Sequence, residues 1–142
     1  VEINLEIIGA AYKQIAANAD YVIVEGVGGL CVPINAHQTT VDLAKCLGLP
    51  VILVVGLRLG CLNHALLSEY MLRTTNLSCS GWVGNVIDPT MQRVAENIES
   101  LQSRLGFPLI FALPYIKQDM RNQELDTVAI KYFSQWSELL LT

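Results

Sequence analysis

Apolar positions along the chain alternate between a helical period and short continuous runs. Leu5, Ile8, Ala11, Tyr12 and Ile15 recur at helical spacing and predict a helix over residues 4–18. Tyr21 to Val24 form a short unbroken apolar run and predict a buried strand over 20–25. Residues 40–47 predict a short helix, with Thr39 or Thr40 as N-cap. "PVILVVG" (50–56) predicts a second strand, apolar throughout, and "CLNHALLSEYMLRTT" (61–75) the helix after it. "SGWVGNVI" (80–87) predicts a third strand. Asp88-Pro89 then opens a helix running to about Leu105, since proline is tolerated in a first turn. "FPLIFALP" (107–114) predicts a fourth strand, and residues 124–139 a closing helix. Strands alternating with helices imply right-handed crossovers, hence an α/β class with a mostly parallel sheet and helices on both faces.

Composition changes this picture little. A length of 142 residues suits one domain. The chain is 52% apolar and 15% charged, yet no apolar run approaches the roughly 18 residues of a membrane span, so no membrane association is expected. Net charge is −4 and the nine basic residues are scattered, which argues against a nucleic-acid partner. Cys31, Cys46, Cys61 and Cys79 form no C-x-x-C pair, so reduced thiols in a cytoplasmic protein are expected rather than a zinc site or a disulfide framework. The high apolar content fits parallel strands buried on both faces. With no initiator Met and a start inside a helical pattern, the chain reads as a portion of a larger domain.

Ligands of such sheets bind beyond the carboxyl ends of the strands, which selects the loops 25–35, 56–60, 85–89 and 114–123. Glu25 ends a strand beside Gly26, Gly28 and Gly29, where a carboxylate can hold Mg²⁺ and bare backbone can approach phosphate or a polar substrate. The alternative is a solvent-facing Glu before an ordinary turn. Gly60 precedes a helix start suited to an anion; taken alone, Asn63 and His64 read better as polar residues of a first helical turn. Asn85 offers a donor and an acceptor for the edge of a base, or an Asx turn into Asp88-Pro89. Phosphoryl transfer on this architecture normally uses G-x-x-x-x-G-K-[ST], and no such motif occurs in the 142 residues.

Three segments carry a resemblance. "VIVEGVGGLCVPIN", "LPVILVVGLRLGCLNHALL" and "GWVGNVIDP" resemble, in the same order, the C-terminal portion of dethiobiotin synthetase. That family closes the ureido ring of biotin's precursor with ATP, Mg²⁺ and CO₂. The resemblance implies a P-loop NTPase-like fold, here lacking the N-terminal P-loop strand and helix, with residues 1–142 forming the C-terminal part of a single domain. It also implies a catalytic P-loop lysine upstream, none in this chain, and a fragment inactive by itself.

The roles the resemblance implies fall on particular residues. In V-E-G-x-G-G, Glu25 would help hold Mg²⁺, and Gly26, Val27 and Gly28 would lie against ATP, with Val27 and Gly28 also against substrate. Asn85 would read adenine with Val86 beside it, and Pro114, Tyr115 and Ile116 would flank the base. Cys61, Leu62 and Asn63 would bind the carboxylate of 7,8-diaminopelargonate across a homodimer interface. Two positions depart from the pattern: Asn97 stands for a tyrosine that some relatives use near that carboxylate, and Arg121 for an acidic ribose contact. Two other readings are a cobyric acid synthase-type ATP domain and a non-catalytic regulatory or dimerisation module of the same fold.

Overall fold

A computed structural model describes residues 3–117, 126–127 and 130–132. Seven elements follow in order: α1 (Leu5–Ala16), α2 (Thr40–Leu47), β1 (Val51–Leu57), α3 (Cys61–Thr74), β2 (Cys79–Val86), α4 (Val94–Gln102) and β3 (Leu109–Leu113). By contact they form two compact units. One holds the residues up to Val51 together with Ser68–Ser78; the other holds Ile52–Leu67 and the residues from Cys79 on.

In the first unit α1 packs on α2. The Asn4 side chain caps α1 by accepting from the Glu6 and Ile7 N–H groups at 2.8 and 3.3 Å. The Cys46 thiol of α2 reaches the Leu5 carbonyl at 3.7 Å, and a Cβ on Gly9 would meet the same sulfur at 3.5 Å. At the start of α2, the Asp42 carboxylate accepts from the Thr39 N–H at 2.7 Å and from its hydroxyl at 3.1 Å. Those two donors, the backbone one foremost, hold the Asp42 carboxyl below its ordinary 3.8. A depressed carboxyl pKa contributes stability that is present above the ordinary value and lost as pH falls through the lowered one. Asp42→Asn should therefore lower the urea midpoint at neutral pH, and its gap to the wild type should close in acid. A gap of constant size across that titration would reject the assignment.

The second unit is built on a three-stranded parallel sheet of order β1-β2-β3. Trp82 faces Leu109, Gly84 faces Ala112 and Asn85 faces Leu113, with an irregularity between Trp82 and Val83. One core joins Val55 and Leu57 of β1, Cys61 and Ala65 of α3, Trp82 of β2, and Leu101 and Leu105 at the end of α4. Trp82, Leu57 and Leu101 are fully buried. Gly81 permits the close approach of β2 and β3: a Cβ there would stand 2.7 Å from the Ile110 side chain and 2.8 Å from the Pro108 carbonyl. That same carbonyl accepts from the Trp82 N–H at 2.9 Å.

Three sequence expectations need correction. Residues 20–25 form no strand: Tyr21, Ile23 and Val24 are 69, 76 and 42% exposed and pair with nothing among the described residues. Such a run is a buried strand only when neighbouring strands take up its N–H and C=O groups. The helix expected from Asp88-Pro89 begins only at Val94, because the Asp88 carboxylate accepts from the Thr90 N–H at 2.8 Å and hydroxyl at 2.7 Å, closing a turn first. β3 begins at Leu109, after Pro108, whose missing N–H suits a strand boundary. The closing helix expected over 124–139 lies mostly outside the described residues; Asp126, Thr127 and 130–132 are helical.

Candidate functional site

In the first unit Glu25 is exposed and lies outside any helix or strand, followed by exposed Gly26, Val27 and Gly28. Val27 is 77% exposed, high for a valine. Gly28 and Gly29 have φ of +74° and +142°, so this turn depends on glycine at both positions. A Cβ on Gly26 would meet nothing within 4 Å, which leaves that backbone open to an approaching group. The loop's return is fastened to α2. Thr40 donates its N–H to the Val32 carbonyl at 2.9 Å, and its hydroxyl accepts from the Val32 N–H at 3.1 Å. The same hydroxyl reaches the carbonyl oxygens of Gly29, at 2.9 Å, and Leu30.

In the second unit the parallel strands put three loops on one rim of the sheet. Half-buried Asn85 and Val86 end β2, and Asn85 stands opposite Leu113, so Pro114, Tyr115 and Ile116 leave β3 directly beside them. Tyr115 is 41% exposed. Asn85 carries no Asx turn; Asp88 does, and the Thr90 hydroxyl, with its N–H, holds the Asp88 carboxyl below the usual carboxylate range. On the same rim β1 runs through Gly60, with φ +91°, into α3. There Cys61 is buried, Leu62 half-buried and Asn63 exposed.

The Cys61 thiol points at the side-chain Oδ1 of Asn97 at 3.9 Å, while the Asn97 side-chain Nδ2 donates to the Arg93 backbone carbonyl at 2.7 Å. Asn97, singled out by its departure from the family pattern, thus borders this helix start. The second such position, Arg121, lies outside the described residues. Sequence reading saw Thr40 only as a possible helix cap; the cue to more was a doubled threonine where one suffices.

Glu25 brings one exposed carboxylate to this loop. Among the described residues no three His, Cys, Asp or Glu side chains come together as a metal cluster. A single carboxylate such as that of Glu25 could serve an ion otherwise held by phosphate oxygens and water, the usual manner of Mg²⁺.

A parallel sheet with helices, opening its strand ends onto one rim, defines an α/β protein, and the family match places it with the P-loop NTPase type. Residues 1–123 match the AAA domain family, and the chain belongs to it. ATP-dependent dethiobiotin synthetase BioD of Nitrosospira multiformis is 50% identical over 115 residues, 81% of this chain and 51% of that protein. The protein of the same name from Aromatoleum aromaticum is 50% identical over 116 residues, 82% and 52% of the two chains. A third, from Xylella fastidiosa, is 45% identical over 127 residues, 89% and 56%. The resemblance read from the three sequence segments is borne out. The chain spans about half the length of the curated relatives it matches.

Proposed function

We propose that this chain is the C-terminal part of a single-domain dethiobiotin synthetase. The observation carrying this reading is the 50% identity to proteins of that name. Its rim of Asn85, Val86 and 114–116 also offers the half-buried amide and apolar walls that a base needs. One amine of 7,8-diaminopelargonate takes up CO₂ as a carbamate and releases a proton. ATP phosphorylates the carbamate oxygen, giving a mixed anhydride and ADP. The second amine then attacks the carbonyl carbon, expels inorganic phosphate, loses its proton and closes the ring.

No protein nucleophile is needed, so catalysis rests on positioning and on neutralising charge. Bound Mg²⁺ supplies part of that neutralisation. In this reading Glu25 would hold the ion, Gly26, Val27 and Gly28 would lie along ATP and substrate, and Asn85 with Val86, Pro114, Tyr115 and Ile116 would hold adenine. Cys61, Leu62 and Asn63 bind the substrate carboxylate in the partner subunit's site. The setting is cytoplasmic, and among the described residues no helix is long and apolar enough to cross a membrane.

The test is dethiobiotin formation by the full-length gene product with ATP, Mg²⁺, CO₂ and the diamino acid; absence of product rejects the assignment. The 142-residue chain alone, which carries no G-x-x-x-x-G-K-[ST], should form none. The homodimer reading draws support from Leu67 and Tyr70 of α3, 61 and 54% exposed and one turn apart. Leu67→Glu should convert a dimeric full-length protein to monomer in light scattering, and an unchanged dimer mass would remove α3 from the interface.

A further inference from the structure

Helix α2 is started by Thr39 and Asp42, which bond to each other through both the backbone N–H and the hydroxyl of Thr39. Thr40, the first helical residue, is not needed for that, and its hydroxyl turns back over the loop instead. Both backbone polar groups of Val32 bond to Thr40, its N–H to the hydroxyl at 3.1 Å and its carbonyl to the Thr40 N–H at 2.9 Å. The single hydroxyl proton is shared between the carbonyl oxygens of Gly29 and Leu30. Val32 in turn carries Gly28: its Cγ2 lies 3.3 Å from where a Gly28 Cβ would stand, against the glycine's open face. A chain of contacts thus leads from a helix, which is rigid, through Val32 to a glycine turn with little internal support of its own.

We propose that Thr40 is a positioning residue that locks the Gly28–Leu30 turn in its ligand-ready shape. The inference rests on the dethiobiotin synthetase reading, in which that turn lies against substrate and ATP. Removing the hydroxyl frees the turn to move without touching any group that meets ligand. A turn that must be ordered at the moment of binding binds more weakly, because the ordering entropy then falls on the binding step.

The experiment compares wild type, Thr40→Val and Thr40→Ser in the full-length gene product by amide hydrogen exchange and by steady-state kinetics. Thr40→Val should speed exchange at the Val32 amide by about tenfold, the effect of losing roughly one net hydrogen bond. It should raise KM for 7,8-diaminopelargonate about fivefold or more, and Thr40→Ser should restore both. Thr75→Val is the control: it removes a partly buried hydroxyl bonded to the Met71 carbonyl at 2.7 Å and should leave KM unchanged. A general loss of stability lowers the amount of active enzyme and so apparent kcat, not KM. Wild-type protection of Val32 in Thr40→Val overturns the proposal, as does faster exchange with an unchanged KM. Should Thr40→Val not fold, Thr40→Ala is read against the same two criteria. A wild type that makes no dethiobiotin rejects the enzyme reading, and the exchange comparison still accepts or rejects the clamp.

Discussion

Glu25→Gln in the full-length gene product is expected to lower Mg²⁺-dependent dethiobiotin formation about a hundredfold while leaving the melting temperature nearly unchanged. The amide keeps the size and polarity of the carboxylate but loses the charge that an oxygen-seeking cation requires. Because Glu25 is exposed and lies on backbone that pairs with nothing among the described residues, the fold gives it no structural duty to lose. The loss should therefore fall on turnover and on its Mg²⁺ dependence together. Titrating Mg²⁺ at saturating ATP checks this, and a variant with the wild-type metal profile would disqualify Glu25 as a ligand.

The second large effect concerns folding. Trp82→Ala should destabilise the protein by about 3–5 kcal/mol, much of the 5–15 kcal/mol by which a typical domain is held together. Trp82 is fully buried among residues of β1, α3 and α4, so its removal opens a cavity where the two helices meet the sheet. Its indole N–H has no hydrogen-bond partner among the described residues. Trp82→Phe, which deletes that orphaned donor and keeps an aromatic ring, should accordingly lose clearly less than Trp82→Ala. Urea unfolding followed by far-UV circular dichroism measures both, and equal losses would show that ring volume is not what the site requires.

Elements bounded by their own local chemistry were legible in the sequence. The α2 start at Thr39-Thr40 is set by side chains within three residues, and β1 and α3 are separated by the glycine at 60, so their bounds agree with the reading to within a residue. What failed was what depends on partners. The run at 21–24 has the composition of an interior strand, but composition does not supply the neighbours that make it one. Asp88-Pro89 carries a genuine helix-start signal, overridden by a hydroxyl two residues on that claims the carboxylate first. The loops at 56–60, 85–89 and 114–116 were readable because parallel alternation places strand ends on one rim. The Thr40 clamp was not, since its partners at 29, 30 and 32 become neighbours only when the chain doubles back.

The burial of Trp82 also gives the protein an optical probe of its own. An indole shielded from water emits at shorter wavelength, because no solvent dipoles relax around its excited state. Trp82 lies in the unit that holds the sheet, not in the one formed by the residues up to Val51 and Ser68–Ser78. The emission of Trp82 consequently follows the sheet-bearing unit. Loosening of the glycine turn and of α1 and α2 passes unseen in that signal, so fluorescence and circular dichroism, followed together, distinguish the melting of one unit from that of the other.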